Sequence, residues 1–275
     1  MTGSTPPDWR PAMPWPDVDA HKHARGRLGV VSGKATQTGA ARLAARAGLR
    51  IGAGVVRILC PPDAAAVIAP AIEAIMLTPF GSEEALAEAA ANLDAVVIGP
   101  AAGVNEATRI HVRALAGTGA ALVVDADGLT AFEAWPEDLF EILDRDDVLT
   151  PHEGEFRRLF PDLLDQDREA AAIEAAQRAR AVVVLKGPAT VIAAPDGRIS
   201  VNDNGVPWLA TAGTGDVLAG MIGGLIAQRM DSFDAARAAV WMHAEAARSF
   251  GPGLIAEDLP ERIPAVLAGL FPQSR

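Results

Sequence analysis

The 275-residue chain contains a single cysteine, Cys60, and this scarcity excludes several kinds of protein. An internal disulfide needs two cysteines and a cysteine-based zinc cluster needs more, so neither can form within the chain. A chain without disulfides is typical of a reducing compartment, and we expect the protein in the cytoplasm.

Basic residues are also scarce. The 24 Lys and Arg residues stand against 35 Asp and Glu residues and give a net charge of −11. Duplex nucleic acid and anionic membranes attract basic surfaces, so we expect no nucleic acid and no membrane as partners. The acidic balance does not exclude a small anion that is held by a local cluster of backbone amides.

Long hydrophobic runs are missing, although 50% of the residues are hydrophobic. No apolar stretch reaches the length of about 18 residues that a membrane span needs. Residues 1–18 lack the basic and apolar segments of a signal peptide and are rich in proline. We expect them to form a loose arm ahead of one domain that covers residues 19–275.

Short apolar runs alternate with helical patterns along the rest of the chain. This alternation predicts a single α/β domain with three layers, in which helices cover both faces of a mostly parallel central sheet. In such folds the ligand lies beyond the carboxyl ends of the strands. The predicted strands are 28–31, 55–59, 74–77, 95–98, 121–124, 148–149, 182–185, 191–194 and 199–201, and the predicted helices are 39–50, 64–68, 83–92, 105–116, 153–160, 168–179, 215–228, 234–250 and 258–270.

The most specific motif is Ala212-Gly213-Thr214-Gly215-Asp216, which an apolar helical pattern follows. Its glycines let backbone amides approach a ligand without a Cβ in the way. A helix N-terminus adds unpaired amides and the positive end of the helix dipole, so the motif suits a phosphoryl group. Asp216 is then placed to accept a proton from an attacking hydroxyl. The alternative is a plain helix cap, with Thr214 as the cap and Asp216 complementing the dipole.

Two further motifs follow predicted strands. The segment from Lys186 to Thr190 could present an ammonium group and the backbone amides of a turn to a nucleotide. The alternative is that Lys186 lies in water at the strand end. In Thr150 to Glu155, the Glu155 carboxylate could hold Mg²⁺ through water, because this ion keeps water ligands and bridges phosphates. The alternative is a capping arrangement at a helix start.

Several other polar residues receive more modest interpretations. Asp125 and Asp127 follow a predicted strand, and a helix cap is the preferred role for Asp127. The loop from Gly99 to Gly103 could pass close to a ligand or simply form a tight turn. His243 lies in an Ala-rich helical pattern, where a packed core histidine is commoner than a ligand. Cys60 has no basic neighbour, so we expect no nucleophilic role for its thiol.

The motifs, in the order in which they occur along the chain, resemble those of the ADP-dependent NAD(P)H-hydrate dehydratases, a family of the ribokinase-like superfamily. Two pieces depart from the family pattern: Gly-Pro-Gly-Leu-Gly appears as the loop Gly99 to Gly103, and Gly-Gly-Ser appears as Ser32-Gly33-Lys34. The matching pieces are His21-Lys22, Gly39-Ala40-Ala41, Asp125-Ala126-Asp127, Thr150-Pro151-His152, Lys186-Gly187 with Thr190, Pro195-Asp196-Gly197, Asn202 and the stretch from Ala210 to Asp216.

The resemblance implies a ribokinase-like fold and the repair of NADH and NADPH that have added water at C6 of the nicotinamide ring. ADP would phosphorylate the hydrate's hydroxyl, and the products would be NAD(P)H, AMP and phosphate. It further implies a homotetramer, a separate NAD(P)H-hydrate epimerase as a partner, and Mg²⁺ on the phosphates.

The resemblance also implies roles for individual residues. Asp216 is the expected base. The other expected groups are an anion hole at Gly213, Thr214 and Gly215; adenylate binding by Lys186, Gly187, Pro188, Ala189, Thr190 and Gly215; and a hydrate pocket with Ala40, Ala41, Gly103, His152 and Asp216.

Two other functions remain open from the sequence. A small-molecule kinase of the same superfamily, acting on a hydroxymethylpyrimidine or hydroxyethylthiazole, would release a stable phosphate ester. A non-catalytic adenylate sensor would bind the nucleotide without turnover, and the presence of Asp216 argues against it.

Overall fold

One nine-stranded sheet forms the centre of the structure, a computed structural model that describes residues 8–272. The strands are β1 Arg27–Val31, β2 Val55–Cys60, β3 Met76–Pro79, β4 Ala95–Ile98, β5 Ala121–Val124, β6 Val148–Leu149, β7 Val182–Leu185, β8 Thr190–Ala193 and β9 Ile199–Asn202. Their order across the sheet is β3-β2-β1-β4-β5-β6-β7-β8-β9. Neighbours from β3 to β7 are parallel, and β8 and β9 extend the sheet with antiparallel pairs.

Helices cover both faces of the sheet. They are α1 Gly39–Arg50, α2 Pro62–Ile68, α3 Glu83–Ala90, α4 Glu106–Ala116, α5 Asp127–Thr130, α6 Pro136–Phe140, α7 Glu153–Leu159, α8 Arg168–Ala179, α9 Thr214–Ala227, α10 Ser232–Phe250 and α11 Leu259–Leu270. Successive strand residues point to opposite faces, so Val97 belongs to the core cluster that includes residues of α1, α9 and α10, whereas Val96 and Ile98 belong to the cluster that includes residues of α3, α4 and α8. The predicted three-layer α/β domain is confirmed. No helix among the described residues combines the length and the apolar character that crossing a membrane requires.

The position of α9 follows from its composition. The helix is apolar on all sides and twelve of its residues are buried, which is typical of a helix inside a core. Glycine allows its backbone to touch α1, because a Cβ at Gly220 would lie only 2.1 Å from the carbonyl oxygen of Ala44. This close contact fixes the N-terminus of α9 at the carboxyl edge of the sheet.

Residues 8–13 pack against the last helices, so the expectation of a loose arm is wrong for this part of the chain. Trp9 and Met13 are buried, and the Trp9 ring meets the edge of Trp241 at a centroid distance of 5.6 Å. Arg10 Nε donates a hydrogen bond to the carbonyl oxygen of Leu270 at 2.8 Å. Residues 1–7 lie outside the described residues, and the domain boundary after residue 18 stays a prediction.

Most predicted elements lie within three residues of the observed ones, but the sequence patterns missed two short helices. Helices α5 and α6 contain four and five residues. A helix of so few residues does not complete the two turns over which a helical period becomes visible.

Candidate active site

The ends of several strands meet the start of α9 at one edge of the sheet. Asp125 follows β5, Thr150 follows β6 and Lys186 follows β7, and these strands are parallel neighbours. A Cβ at Gly215, in the first turn of α9, would lie 3.7 Å from Lys186 Nζ and 3.9 Å from Asp125 Oδ2. The geometry therefore brings the Gly-Thr-Gly-Asp motif and the strand-end residues together.

Lys186 forms a buried ion pair at the centre of this cluster. Its Nζ lies 2.7 Å from Asp125 Oδ1 and 3.9 Å from Glu155 Oε2. Thr150 Oγ1 donates a second hydrogen bond to Asp125 Oδ1, also at 2.7 Å. The Lys186 side chain is only 21% exposed, so the alternative of a strand-end lysine in water is wrong. Burial lowers its pKa, but the carboxylates of Asp125 and Glu155 outweigh burial and raise it, so the amine is charged.

Asp216 carries a carboxylate with free hydrogen-bonding capacity. Burial, reinforced by the negative charge of Asp125, raises its pKa to about 6, whereas the positive charge of Lys186 opposes the rise. Among the described residues, none donates a hydrogen bond to its side-chain oxygens. A carboxylate with a pKa near neutrality and free oxygens can accept a proton from a ligand.

The first turn of α9 has no side-chain cap. Gly213 precedes the helix with a φ of 89°, and no side chain caps the amides that follow. Thr214 Oγ1 donates instead to the carbonyl oxygens of Leu209, at 2.8 Å, and Thr211, at 3.0 Å. The alternative in which Thr214 caps α9 is therefore wrong, and the amides of this turn remain free for an anion.

His152 and Glu155 form a capping box at the start of α7. His152 Nδ1 accepts hydrogen bonds from the amides of Gly154 and Glu155, and Glu155 Oε2 accepts one from the His152 amide at 2.8 Å. Glu155 is 6% exposed, and burial raises its pKa while Lys186 lowers it. The capping alternative is therefore confirmed as a structural role for these two side chains.

The carboxylates of this site are compatible with a magnesium ion that is bound mainly by phosphates. No group of three or more His, Cys, Asp or Glu side chains among the described residues is arranged to hold a metal by itself. Mg²⁺ usually needs only one or two carboxylates, since water and phosphate oxygens complete its coordination. The carboxylates of Asp125, Glu155 and Asp216 lie beside the expected phosphate position and fit that requirement.

The residues expected around the hydrate lie on two loops and on α1. The Gly103 amide donates to Asp127 Oδ2 at 2.9 Å, so Asp127 holds the loop after β4. The preferred role of Asp127 as a helix cap is wrong, because α5 begins at Asp127 itself and no side chain caps its first turn. In that loop Ala101 has a φ of 56°. Ala40 is half-buried whereas Ala41 is fully buried in the core, so only Ala40 offers surface to a ligand.

A cavity of about 690 Å³ opens beside Lys186 and runs between the hairpin β8–β9 and the helices α9 and α10. Of the expected nucleotide residues, Ala189 does not line it. Sequence reasoning missed the His243 contribution, since a histidine in an Ala-rich helix carries no pattern that reveals a neighbouring cavity. The lining residues are His152, Lys186, Gly187, Pro188, Thr190, Asn202, Gly205, Val206, Pro207, Leu209, Ala210, Thr214, Gly215, Leu218, Val240, His243 and Ala244.

Comparison with known families agrees with this geometry. A family model described as NAD(P)H-hydrate dehydratase matches residues 28–264. The chain belongs to the NAD(P)H-hydrate dehydratase family. A relative named ADP-dependent (S)-NAD(P)H-hydrate dehydratase, from Xanthomonas campestris, is 34% identical, and the match covers 93% of both chains.

Other curated relatives of the family are longer proteins. The bifunctional NAD(P)H-hydrate repair enzyme of Salinibacter ruber is 40% identical over 97% of this chain but only 52% of its own length. The chain thus spans about half the length of the first curated relatives that it matches.

Solved structures confirm the ribokinase-like fold of this dehydratase-family chain. The ADP/ATP-dependent NAD(P)H-hydrate dehydratase of Bacillus subtilis, co-crystallized with ATP and Mg²⁺, has a TM-score of 0.81 and 28% identity, and the match covers 96% of each chain. A ribokinase-like superfamily protein from Enterococcus faecalis has a TM-score of 0.82 at 21% identity, covering 95% of this chain and 94% of that chain.

Proposed function

We propose that the protein is an ADP-dependent (S)-NAD(P)H-hydrate dehydratase that restores NADH and NADPH. The observation that carries this proposal is the free, partly buried carboxylate of Asp216 at the uncapped N-terminus of α9, beside the ammonium group of Lys186. This arrangement offers a base, an anion-binding turn and a cation to one reacting centre. The names of the family and of the full-length Xanthomonas relative support the same activity.

The proposed reaction makes hydroxide, a poor leaving group, into phosphate. Asp216 accepts the proton of the hydroxyl at C6. The oxygen of that hydroxyl attacks the β-phosphorus of ADP, and AMP leaves. The lone pair of the ring nitrogen then breaks the C6–O bond and expels phosphate, and loss of a proton from C5 restores the dihydronicotinamide. The amides around Gly213 to Gly215 stabilise the charge on the transferring group, which is the main contribution in phosphoryl transfer.

The nucleotide site proposed here runs from Lys186 to Thr190 and includes Gly215. Lys186 Nζ faces the phosphate end because it lies beside Gly215. Thr190 Oγ1 donates to the carbonyl oxygen of Gly187 at 3.1 Å and shapes the turn that would face the adenylate. Mg²⁺, held by water-mediated contacts to Glu155, would neutralise phosphate charge when bound. Ala40, Gly103 and His152 remain the proposed contacts of the hydrate, whereas Ala41 is fully buried and offers it no surface.

The kinase and sensor alternatives predict different products. The match to a dehydratase family over residues 28–264 favours repair over phosphorylation of a vitamin precursor. A sensor would have no need of the raised pKa of Asp216. Assembly as a homotetramer and a separate NAD(P)H-hydrate epimerase as a partner are further parts of the proposal.

The decisive experiment incubates the protein with (S)-NADH hydrate, Mg²⁺ and either ADP or ATP. We expect the absorbance of NADH to return, with one AMP formed per NADH in the ADP reaction, and faster turnover with ADP than with ATP. Release of a stable phosphate ester from a pyrimidine or thiazole alcohol, without NADH repair, would support the kinase instead. Nucleotide binding without either product would identify a sensor.

A further inference from the structure

The turn after β7 has its carbonyl oxygens occupied by donors of the protein itself. Arg168, the first residue of α8, donates from Nη2 to the carbonyl oxygen of Leu185 at 3.0 Å and to that of Lys186 at 2.8 Å. Thr190 Oγ1 donates to the next carbonyl oxygen, that of Gly187, at 3.1 Å. Side chains of the chain therefore hold three successive carbonyl oxygens of this turn.

The amides of the same turn have different surroundings. The Lys186 amide donates to the carbonyl oxygen of Pro151 at 2.8 Å. The Gly187 amide has no acceptor among the described residues, and Gly187 is an exposed residue in the wall of the cavity. In a trans peptide the carbonyl and the following N–H point in opposite directions. Because the Lys186 carbonyl points to Arg168, the N–H of Gly187 points away from it.

Gly187 makes room for this arginine. A Cβ at Gly187 would lie only 2.5 Å from Arg168 Nη2 and 3.2 Å from its Cζ. Gly187 does not have a positive φ, so its backbone conformation is one that other residues adopt. The glycine therefore serves the close approach of the guanidinium. An added methyl group would displace the end of a long flexible side chain and leave the backbone in place.

Arg168 does not line the cavity, so any effect on a ligand passes through the turn. Its Nε is buried without a hydrogen-bond partner among the described residues, and the bonds to the turn come from Nη2. A carbonyl oxygen that faced a phosphate would repel it, whereas free backbone N–H groups bind anions. Arg168 holds the Lys186 carbonyl in the orientation that leaves an N–H, and not an oxygen, for the ligand.

We propose that Arg168 is a positioning residue for the nucleotide: it fixes the Lys186–Gly187 peptide so that the N–H of Gly187 donates to an oxygen of the adenylate portion of ADP. The inference rests on the proposed function, which places the adenylate against this turn. The transferring group lies at the start of α9 instead, so loss of the contact should weaken nucleotide binding more than it slows the bound complex.

The test measures Kd and KM for ADP, kcat and Tm for wild type and Arg168→Ala. We expect the variant to bind ADP about 10-fold more weakly by calorimetry, the low end of the range for one hydrogen bond to a charged group. KM for ADP should rise while kcat stays within about threefold. Arg168→Lys should recover part of the affinity, since one ammonium group can donate to both carbonyl oxygens as Nη2 does.

Arg178→Ala is the matched control. Arg178 lies on the same helix, and its Nη2 pairs with Asp162 at 2.7 Å and with Glu174 at 3.0 Å. It does not line the cavity and makes no contact with the turn after β7. Its loss should lower Tm slightly and leave the ADP affinity unchanged.

Gly187→Ala tests the same contact with the arginine still present. Its Cβ displaces the guanidinium, so this variant should weaken ADP as much as Arg168→Ala does. The double variant should bind ADP no more weakly than either single variant, because both changes remove one contact. Additive losses would show that the two residues act independently and would overturn the inference.

The remaining outcomes separate this inference from the proposed function. A folded Arg168→Ala protein with a lower Tm but unchanged Kd and KM for ADP would make Arg168 only an anchor of α8 and overturn the inference. If Arg168→Ala fails to fold, unchanged ADP affinity of Gly187→Ala overturns it instead. Wild-type protein that binds no ADP would contradict the proposed function itself, whereas ADP-dependent repair that is insensitive to these changes removes only the role of Arg168.

Discussion

Buried carboxylates occupy both edges of the central sheet, but they are used differently. At the amino edge, burial raises the pKa of Asp147 to about 7, and at the carboxyl edge it raises that of Asp216 to about 6. Asp147 accepts hydrogen bonds from the amides of Leu122, at 2.6 Å, and Asp144, at 2.8 Å. Asp216 accepts none from the described residues. A raised pKa alone therefore does not mark a catalytic group, and the hydrogen-bonding capacity left for a ligand distinguishes the two.

The amino edge uses carboxylates to fasten neighbouring strands. Asp147 precedes β6 and bonds to the backbone of β5. Asp94, before β4, accepts from the amide of Arg27 at the start of β1, at 2.8 Å. Bonds of this kind supply buried backbone donors with partners, which is a structural task.

The largest expected effect tests this division directly. Asp216→Asn should lower kcat for hydrate repair by about 10²–10⁴-fold, because a positioned general base contributes that much. The loss corresponds to about 3–5 kcal/mol of barrier at about 1.36 kcal/mol per tenfold. Tm should stay near wild type because asparagine has nearly the same shape as aspartate, and ADP should bind slightly more tightly because a negative charge beside the phosphates is removed.

Asp147→Asn is the matched control for that experiment. It changes a carboxylate of similar burial and raised pKa at the other edge, so it should alter Tm but leave kcat close to wild type. If Asp216→Asn still binds ADP and turns over within about threefold of wild type, Asp216 is not the base, and Asp125, Asp127 or Glu155 becomes the candidate.

The second prediction concerns pH and stability at the amino edge. The pKa of Asp147 rises from 3.8 to about 7 on folding, so the folded protein binds this proton more tightly than the unfolded chain. The stabilisation that protonated Asp147 adds to the unfolding free energy is therefore complete below pH 3.8 and is lost as the pH rises to about 7. At about 1.36 kcal/mol per pKa unit, the shift limits this stabilisation to about 4 kcal/mol.

Asp147→Asn should accordingly flatten the fall of the unfolding free energy between pH 4 and pH 7. Denaturant titrations of both proteins across this range measure the difference. Asp216 titrates in the same direction and remains in the variant, so part of the slope should persist. Identical slopes in the two proteins would show that Asp147 is ionised in the folded state at low pH as well.

The third prediction returns to the carboxyl edge and to Lys186. Lys186→Ala and Thr190→Ala should weaken ADP binding more than hydrate binding, because both side chains lie in the wall of the nucleotide cavity. Loss of one hydrogen bond to a charged group costs about 1.5–3 kcal/mol, or roughly 10- to 150-fold in affinity. Unchanged ADP affinity in both variants, measured by calorimetry, would place the adenylate site elsewhere.

The sequence indicated this edge of the sheet well but not the pairings within it. Strand-end positions and the glycines before Asp216 are local signals, so the sheet, α9 and the residues around its start were predictable. The ion pair of Lys186 with Asp125 joins residues 61 positions apart, and sequence spacing carries no sign of it. The same is true of His243, whose buried position was predicted but whose place beside the cavity depends on how α10 packs.

The smallest expected effect concerns strain in a loop at the carboxyl edge. Ala101 has a φ of 56°, where glycine is favoured, and the family pattern that the sequence resembles has glycine at this position. Ala101→Gly should relieve strain but also loosen the unfolded chain, so we expect a gain of at most about 1 kcal/mol. Ala102→Gly is the control. Ala102 is the next residue and does not have a positive φ, so this change should destabilise the protein slightly. Thermal unfolding of both variants measures the difference, and equal losses of Tm would show that Ala101 is not strained.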